Sequence, residues 1–349
     1  MGEHFDISAV VTTYNRSEML AVALERLLSQ NAEGVRYEVL VIDNNSTDNT
    51  RATVEAFIAK GHPNLRYVFE PRQGIAYGRN AGIAAARGDI IAFTDDDVVV
   101  TDNWIAVINR AFAEHPDVEY IGGKILPDWA EPPPNWLTVD HWWPLALLDR
   151  GDSRFYVNAS NPLCLPTANA SFRRELFSRI GLFSPEFSGR EDHELVIRFW
   201  QSGGQGLYEP DLVVMAKVQP ERLRKSYHHR WNTTTGKFNS LMRLDEIIAP
   251  DGSLQREQPN RVKLFGVPGS MYREFVTESF GWLKQMVNGD DSRKVRHENR
   301  LCYLAGYVSK RYEVEVAQPG HSNLGEVASF IKAVFARVVG KWTPTGPQN

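Results

Sequence analysis

Three consecutive carboxylates, Asp95, Asp96 and Asp97, follow Thr94 at the end of the apolar run Ile90-Ile91-Ala92-Phe93. An apolar run that stops abruptly in acids reads as a buried strand whose carboxyl end opens into a site. Side chains alternate along a strand, so Asp95 and Asp97 are expected on one side and Asp96 on the other. Two like charges on one side repel. A hard divalent cation, Mg²⁺ or Mn²⁺, relieves that repulsion, particularly when substrate phosphates complete its coordination. A solvated acidic turn after a strand has the same composition, so the rest of the chain must decide.

The elements that position these acids follow from the first hundred residues. Ile7 to Thr12, Tyr37 to Ile42 and Leu65 to Phe69 read as strands. Asn15 with Glu18 resembles a capping box ahead of a helix from Met19 to Leu28. Asp43 to Asp48 combines loop and N-cap residues before a helix to about Lys60, and Gly74 to Arg87 reads as an Ala-rich helix closed by Gly88. Strands alternating with helices at this spacing predict an α/β fold with a mostly parallel central sheet and helices on both faces. Ligands bind beyond the carboxyl ends of such strands, where Thr12-Thr13-Tyr14, Asp43 and Asp95–Asp97 all fall.

Composition excludes several classes. The formal net charge of −4 gives no global attraction to nucleic acid, and no local basic patch replaces it. The two cysteines, Cys164 and Cys302, are far apart and lack metal-ligand spacing, which favours a reducing compartment over a disulfide framework. Residues Met1 to Asp6 lack the basic and apolar regions of a signal peptide, and no apolar run is long enough to cross a bilayer. The expectation is a cytoplasmic protein. A nicotinamide or flavin enzyme would carry a G-x-G-x-x-G turn after the first strand, where Thr12-Thr13-Tyr14-Asn15-Arg16 stands instead. Polar side chains there and an acid after strand two suit a nucleotide base and ribose, since Asp43 can accept bonds from either.

At this point the chain resembles a known family. Val10 to Arg16, Val41 to Asp48, Gly74 to Gly82, Thr94-Asp95-Asp96-Asp97 and Gly189-Arg190-Glu191-Asp192-His193-Glu194-Leu195 resemble, in order, the motifs of family 2 glycosyltransferases. The last two correspond to the D-x-D and E-D elements. The resemblance covers roughly residues 5 to 225. It implies a GT-A fold, a nucleotide-sugar donor (UDP-linked by default), and inversion at the anomeric carbon. It also implies a metal held by Asp95 and Asp97, and Asp192 as the base that deprotonates the acceptor hydroxyl, with Glu191 beside it in support. Thr12, Tyr14 and Asp43 map to the nucleotide pocket. Arg79, Asn80 and Asp96 map to the donor ribose, sugar or phosphates, and Asn169 to the sugar and acceptor side. Related enzymes often carry His-x-Val after the next strand. Ala216-Lys217-Val218 stands there, so the third metal ligand is absent, replaced by water, or supplied by His228 or His229, or else Lys217 neutralises the diphosphate directly.

Outside the motifs, residues 127–166 read as an irregular, aromatic-rich insertion with Trp129, Trp136, Trp142 and Trp143, whose rings offer faces to a sugar or fill a satellite core. Helices are expected around Arg173 to Ile180 and from Glu191 to about Ser202. The catalytic domain is placed at residues 1–225 and a helical C-terminal extension at 226–349. The apolar and basic residues of Val262 to Val287 either pack on the protein or a second protomer, or lie on a membrane surface. The expected acceptor is a glycan or lipid-linked sugar of a bacterial-type surface polysaccharide. A sugar-phosphate nucleotidyltransferase would need a Gly-rich triphosphate loop that is missing here. A catalytically silent sugar-binding scaffold would not need Asp192.

Overall fold

The computed structural model describes residues 4–187, 189–243 and 263–315. Val262, the first residue of the expected apolar and basic segment, and much of the expected extension 226–349 lie outside these residues. The chain divides into two compact units: Met1–Pro133 with Trp142–Arg222, and Pro134–His141 with the described residues from Leu223 onward.

The first unit is an α/β domain. Its strands are β1 (Ile7–Thr13), β2 (Tyr37–Asp43), β3 (Leu65–Phe69), β4 (Ile90–Asp95), β5 (Val98–Val100), β6 (Tyr120–Trp129), β7 (Phe155–Val157), β8 (Asn169–Arg173) and β9 (Gly206–Val218). Helices α1 (Ser17–Leu28), α2 (Thr50–Ala59), α3 (Ile75–Ala85), α4 (Trp104–Glu114), α5 (Leu176–Ile180) and α6 (Glu191–Gln201) connect them. The strand order is β3-β2-β1-β4-β8-β6-β9-β5, with β7 also on β9. All seven residues of β1 are buried, as a strand covered on both faces requires. β3, β2, β1 and β4 run parallel. β8 then reverses direction between β4 and β6, while β6 and β9 are again parallel.

Two local devices differ from the sequence expectation. Asn15 does not cap α1; it stands at φ +51° and its side-chain oxygen accepts the Thr47 N–H at 2.7 Å. Asp48, from the loop after β2, accepts the Ser17 N–H at 3.0 Å instead. The first two strand-end loops are thereby tied together. Gly88 is not the cap of α3, which ends at Ala85 with Ala86 extended. Its lack of a side chain lets the chain pass over β1, because a Cβ there would lie 2.6 Å from the Ser8 nitrogen.

The insertion is more ordered than its composition suggests. β6 continues through Pro127 and Asp128 to Trp129, paired with Ala216, Lys217 and Val218 of β9. The register of β6 on β9 shifts between Gly123 and Lys124.

The second unit contains α7 (Lys225–Leu241), a short β10–β11 hairpin (Lys263–Leu264, Val267–Pro268), α8 (Gly269–Asn288) and α9 (Asp291–Glu315). Trp136 packs edge-on against His141 and His228. Trp282 and His229 both bond Glu298, while Glu278 and Glu274 of α8 pair with His297 and Arg300 of α9. On the other side of α8, Phe275, Val276, Phe280, Leu283, Met286 and Val287 are exposed. Among the described residues, no helix is long and apolar enough to cross a membrane.

Candidate active site

The sheet brings the expected polar clusters to one edge. Thr12 lies beside Asp95 across β1–β4, and Thr13 beside Asp43 across β1–β2. Asp43 is buried, accepting the Tyr67 hydroxyl at 2.7 Å and the Ser46 N–H at 2.8 Å. Burial, then the bond to Asp43, hold the Tyr67 phenol well above its ordinary pKa, so Tyr67 remains the proton donor of that pair. Tyr14 is exposed at the mouth of this edge. The Thr12 hydroxyl is buried and has no hydrogen-bond partner among the described atoms.

The three aspartates are arranged differently from the expected alternation. β4 stops at Asp95, and Asp96 and Asp97 form a turn into β5. Asp95 faces Arg79, with its Nη2 at 3.6 Å. Asp96 and Asp97 instead share one guanidinium: Arg16 Nη1 donates to Asp96 Oδ1 at 3.0 Å and to Asp97 Oδ2 at 3.2 Å. The Thr13 hydroxyl donates to the other Asp96 oxygen at 2.7 Å. Burial raises Asp96 to about 6 against the opposing pull of Arg16 and Thr13.

Arg79 is the hinge between the D-x-D turn and the E-D helix. It is buried, pairs with Asp95, hydrogen-bonds Glu191 Oε1, and lies over the Phe183 ring at 5.7 Å. The second Glu191 oxygen accepts the Gly189 N–H at 2.6 Å. Asp192 is half-buried, with Oδ1 accepting the His193 N–H at 2.7 Å. Burial raises Asp95 above the usual carboxylate range; Arg79 opposes this, while Asp97 and Asp192 add to it. Glu191 is likewise raised, by burial first, with Arg79 opposing and Asp192 adding. His193 is held down to about 3, by burial and then by Arg190, whose Nη2 donates to its Nδ1 at 2.6 Å. The imidazole beside Asp192 is therefore neutral.

Three of the expected ligand-facing residues have protein partners. Asn80 exchanges two bonds with the Phe183 backbone, at 2.9 and 3.0 Å, and so pins the loop ahead of α6. Asn169 is buried; its oxygen accepts the Trp104 indole N–H at 2.8 Å, and its nitrogen donates to the Lys124 and Leu212 carbonyls at 2.9 Å each. It braces β8 against β6 and β9. Arg79, expected on phosphate, is occupied by two carboxylates. In the second unit, His228 packs against Trp136 and His229 pairs with Glu298. Among the described residues, no group of three or more His, Cys, Asp or Glu is arranged to hold a metal alone.

Sequence reasoning assigned no role to Arg16 or Arg222. Arg222, after β9, places Nη2 3.4 Å from Asp97 Oδ2. Arg16 had a local signal, a cation just past a strand end beside an acidic run. Arg222 had none, because its partner is 125 residues upstream.

The Asp95–Asp97 donor set is all oxygen. The charges of Asp97 and Asp192 already strain Asp95, which is the situation a hard divalent cation relieves. These residues therefore fit such an ion, provided that other oxygens complete its shell.

A family model described as glycosyl transferase family 2 matches residues 8–181. An uncharacterized glycosyltransferase of Bacillus subtilis, YfnE, is 36% identical over 304 residues, covering 73% of this chain and 76% of that protein. The glucosyl-dolichyl phosphate glucuronosyltransferase of Haloferax volcanii is 26% identical over 208 residues, covering 57% of this chain; the chain spans 64% of that relative's length. The fold is also that of the mannosyltransferase PcManGT from Pyrobaculum calidifontis, solved with GDP-Man and Mn²⁺. That likeness has a TM-score of 0.51 at 17% identity, covering 98% of this chain and 84% of that one. The ordered motifs, the GT-A sheet and these relatives agree: the chain belongs to glycosyl transferase family 2.

Proposed function

We propose that this protein is an inverting glycosyltransferase that moves a sugar from a nucleotide-sugar donor to a hydroxyl of a glycan or lipid-linked acceptor. The observation that carries the reading is the Arg79 bridge. One buried guanidinium holds Asp95, at the end of the strand that would meet the donor, and Glu191, beside the residue that would meet the acceptor. Asp95 and Glu191 are thereby held by one side chain, which supports reading them as parts of one site.

In this reading, Thr12, Tyr14 and Asp43 receive the nucleoside. Asp43 still has lone pairs to accept a base N–H, and its orientation is set by Tyr67 and Ser46. A divalent ion, Mg²⁺ or Mn²⁺, would be held by Asp95 and Asp97 and would neutralise charge growing on the leaving diphosphate. Asp192 accepts the proton of the attacking acceptor hydroxyl. Glu191, engaged by Arg79 and the Gly189 N–H, orients the helix start and does not compete for that proton. Arg79 pairs directly with Asp95 and Glu191, and the charge of Asp192 acts on it as well.

The donor is UDP-linked as the first expectation; the GDP-Man complex of PcManGT makes GDP the second. The dolichyl phosphate relative favours a lipid-linked acceptor. A thermal-shift panel of UDP-, GDP- and dTDP-sugars, with and without Mn²⁺, tests the reading. One nucleotide class should raise Tm, and more so with Mn²⁺, because a ligand that binds only the native state stabilises it. No shift with any donor in Mn²⁺ would contradict it.

A further inference from the structure

Resting on the reading above, we propose that Phe183 is a positioning residue for the transfer. Gripped by Asn80, it sets where the acceptor-side acid Asp192 stands relative to the donor-side acid Asp95. Phe183 lies between α5 and α6, in the segment that leads to Glu191 and Asp192, and no sequence motif gives it a role. Three elements meet on it. From α3, the Asn80 amide donates to the Phe183 carbonyl at 2.9 Å and accepts the Phe183 N–H at 3.0 Å. From β4, the strand that ends at Asp95, Phe93 meets the buried Phe183 ring edge-on, with centroids 5.6 Å apart. The Arg79 guanidinium, which pairs with Asp95 and Glu191, lies 5.7 Å from the centre of the same ring. From α6, Arg198 reaches back to donate to the Ile180 and Leu182 carbonyls while Glu194 holds its other side.

A phenylalanine that only fills a core needs apolar neighbours and nothing else. Here the backbone is bonded as well, and by a residue adjacent to Arg79. Consecutive residues of one helix therefore grip the segment at two points, Asn80 at Phe183 and Arg79 at Glu191. Neighbouring residues of an α-helix cannot move apart, so Asp192 cannot swing away without breaking the amide bonds or the Arg79 pair. The ring fills the space between β4 and Arg79, and a close-packed interior transmits its position to both. Attack from one face of the anomeric carbon while diphosphate leaves from the other is sensitive to that spacing, and a misplacement of about 1 Å can cost about a hundredfold. The residues proposed for the nucleoside, Thr12, Tyr14 and Asp43, stand at the ends of β1 and β2. Loss of the wedge should then act on rate and spare donor binding.

The test follows donor hydrolysis in Mn²⁺, with water as the attacking oxygen and Asp192 taking its proton. Wild type, Asn80→Ala, Phe183→Leu and Phe177→Leu are compared on whichever of UDP-glucose, GDP-mannose and dTDP-glucose raises the wild-type Tm. Leucine keeps an apolar side chain at position 183 and removes the ring. Phe177 is buried against the same ring at 6.2 Å and against Phe172 at 5.5 Å, so Phe177→Leu thins the same core and controls for a merely structural loss. Asn80→Ala and Phe183→Leu should each lower kcat by about tenfold or more with the donor KM nearly unchanged. Phe177→Leu should lower Tm and leave kcat nearly unchanged. A raised donor KM with kcat held in Asn80→Ala would put Asn80 on the donor, and a kcat loss in Phe177→Leu matching that of Phe183→Leu would make the cluster an ordinary core. Either result overturns the proposal, as does an unchanged kcat in Asn80→Ala, and all three leave the glycosyltransferase reading standing. If Phe183→Leu does not fold, Asn80→Ala, a change at a half-buried side chain, decides. A wild type that neither binds nor hydrolyses any of the three donors would overturn the glycosyltransferase reading together with this one.

Discussion

His193 shows how much of this site depends on neutral neighbours for its charges. Its folded pKa of about 3 lies below the ordinary 6.5, so between those values the unfolded chain holds a proton that the folded chain refuses. Stability from this group is complete above 6.5 and falls as pH drops through that window. His193→Asn should therefore lose less Tm than wild type between about pH 7.5 and about pH 5. Equal losses would mean that the imidazole is not buried neutral beside Arg190. Residue types were the most legible layer: Asp43, Asp95, Asp97 and Asp192 stand at strand or helix ends where their chemistry suggests. Partners were not legible. Whether Arg79 meets a phosphate or Glu191, 112 positions away, is decided by packing that no local pattern encodes. Asn80 and Asn169 show the same limit, since an amide bracing backbone and one awaiting a sugar look alike in sequence.

The parallel elements were legible because βα alternation and continuous apolar runs have one common physical solution. The antiparallel half was less so. β8 is five residues, Asn169–Arg173, and its direction is set by pairing with β4 and β6 and not by its own pattern. The β6–β9 pairing depends on a register shift at Gly123, where an added Cβ would lie 1.9 Å from the Leu212 carbonyl oxygen. That same carbonyl accepts from Asn169. Gly123→Ala must push β9 away and loosen the Asn169 brace, with an expected cost of about 1–3 kcal/mol. Differential scanning fluorimetry should show a lower Tm; an unchanged Tm would mean that the strands accommodate the methyl without the bulge.

On the scale of the whole molecule, sequence motifs describe the first unit and leave the second almost blank. The apolar residues of the second unit show helical spacing but not which face is covered. In the structure α8 turns Glu274 and Glu278 inward to Arg300 and His297, leaving six apolar side chains with Arg273 and Lys284 on its exposed side. We propose that this face rests on an anionic lipid surface. Wild type should float with phosphatidylglycerol vesicles, and Phe280→Asp with Val287→Asp should not. Flotation that is indifferent to the double substitution would assign the face to another occupant.

The central claim is that Asp95 and Asp192 act in one glycosyl transfer, the first on the donor side and the second on the acceptor hydroxyl. Release of nucleoside diphosphate from the donor selected by thermal shift, followed in Mn²⁺ for wild type, Asp95→Asn and Asp192→Asn, tests it most directly. Both variants should fold, and both should lose at least about a hundredfold in rate, the scale on which general-base and metal-held charge stabilisation act. If all three proteins release nucleotide at the same rate, the site is not the one that performs the reaction.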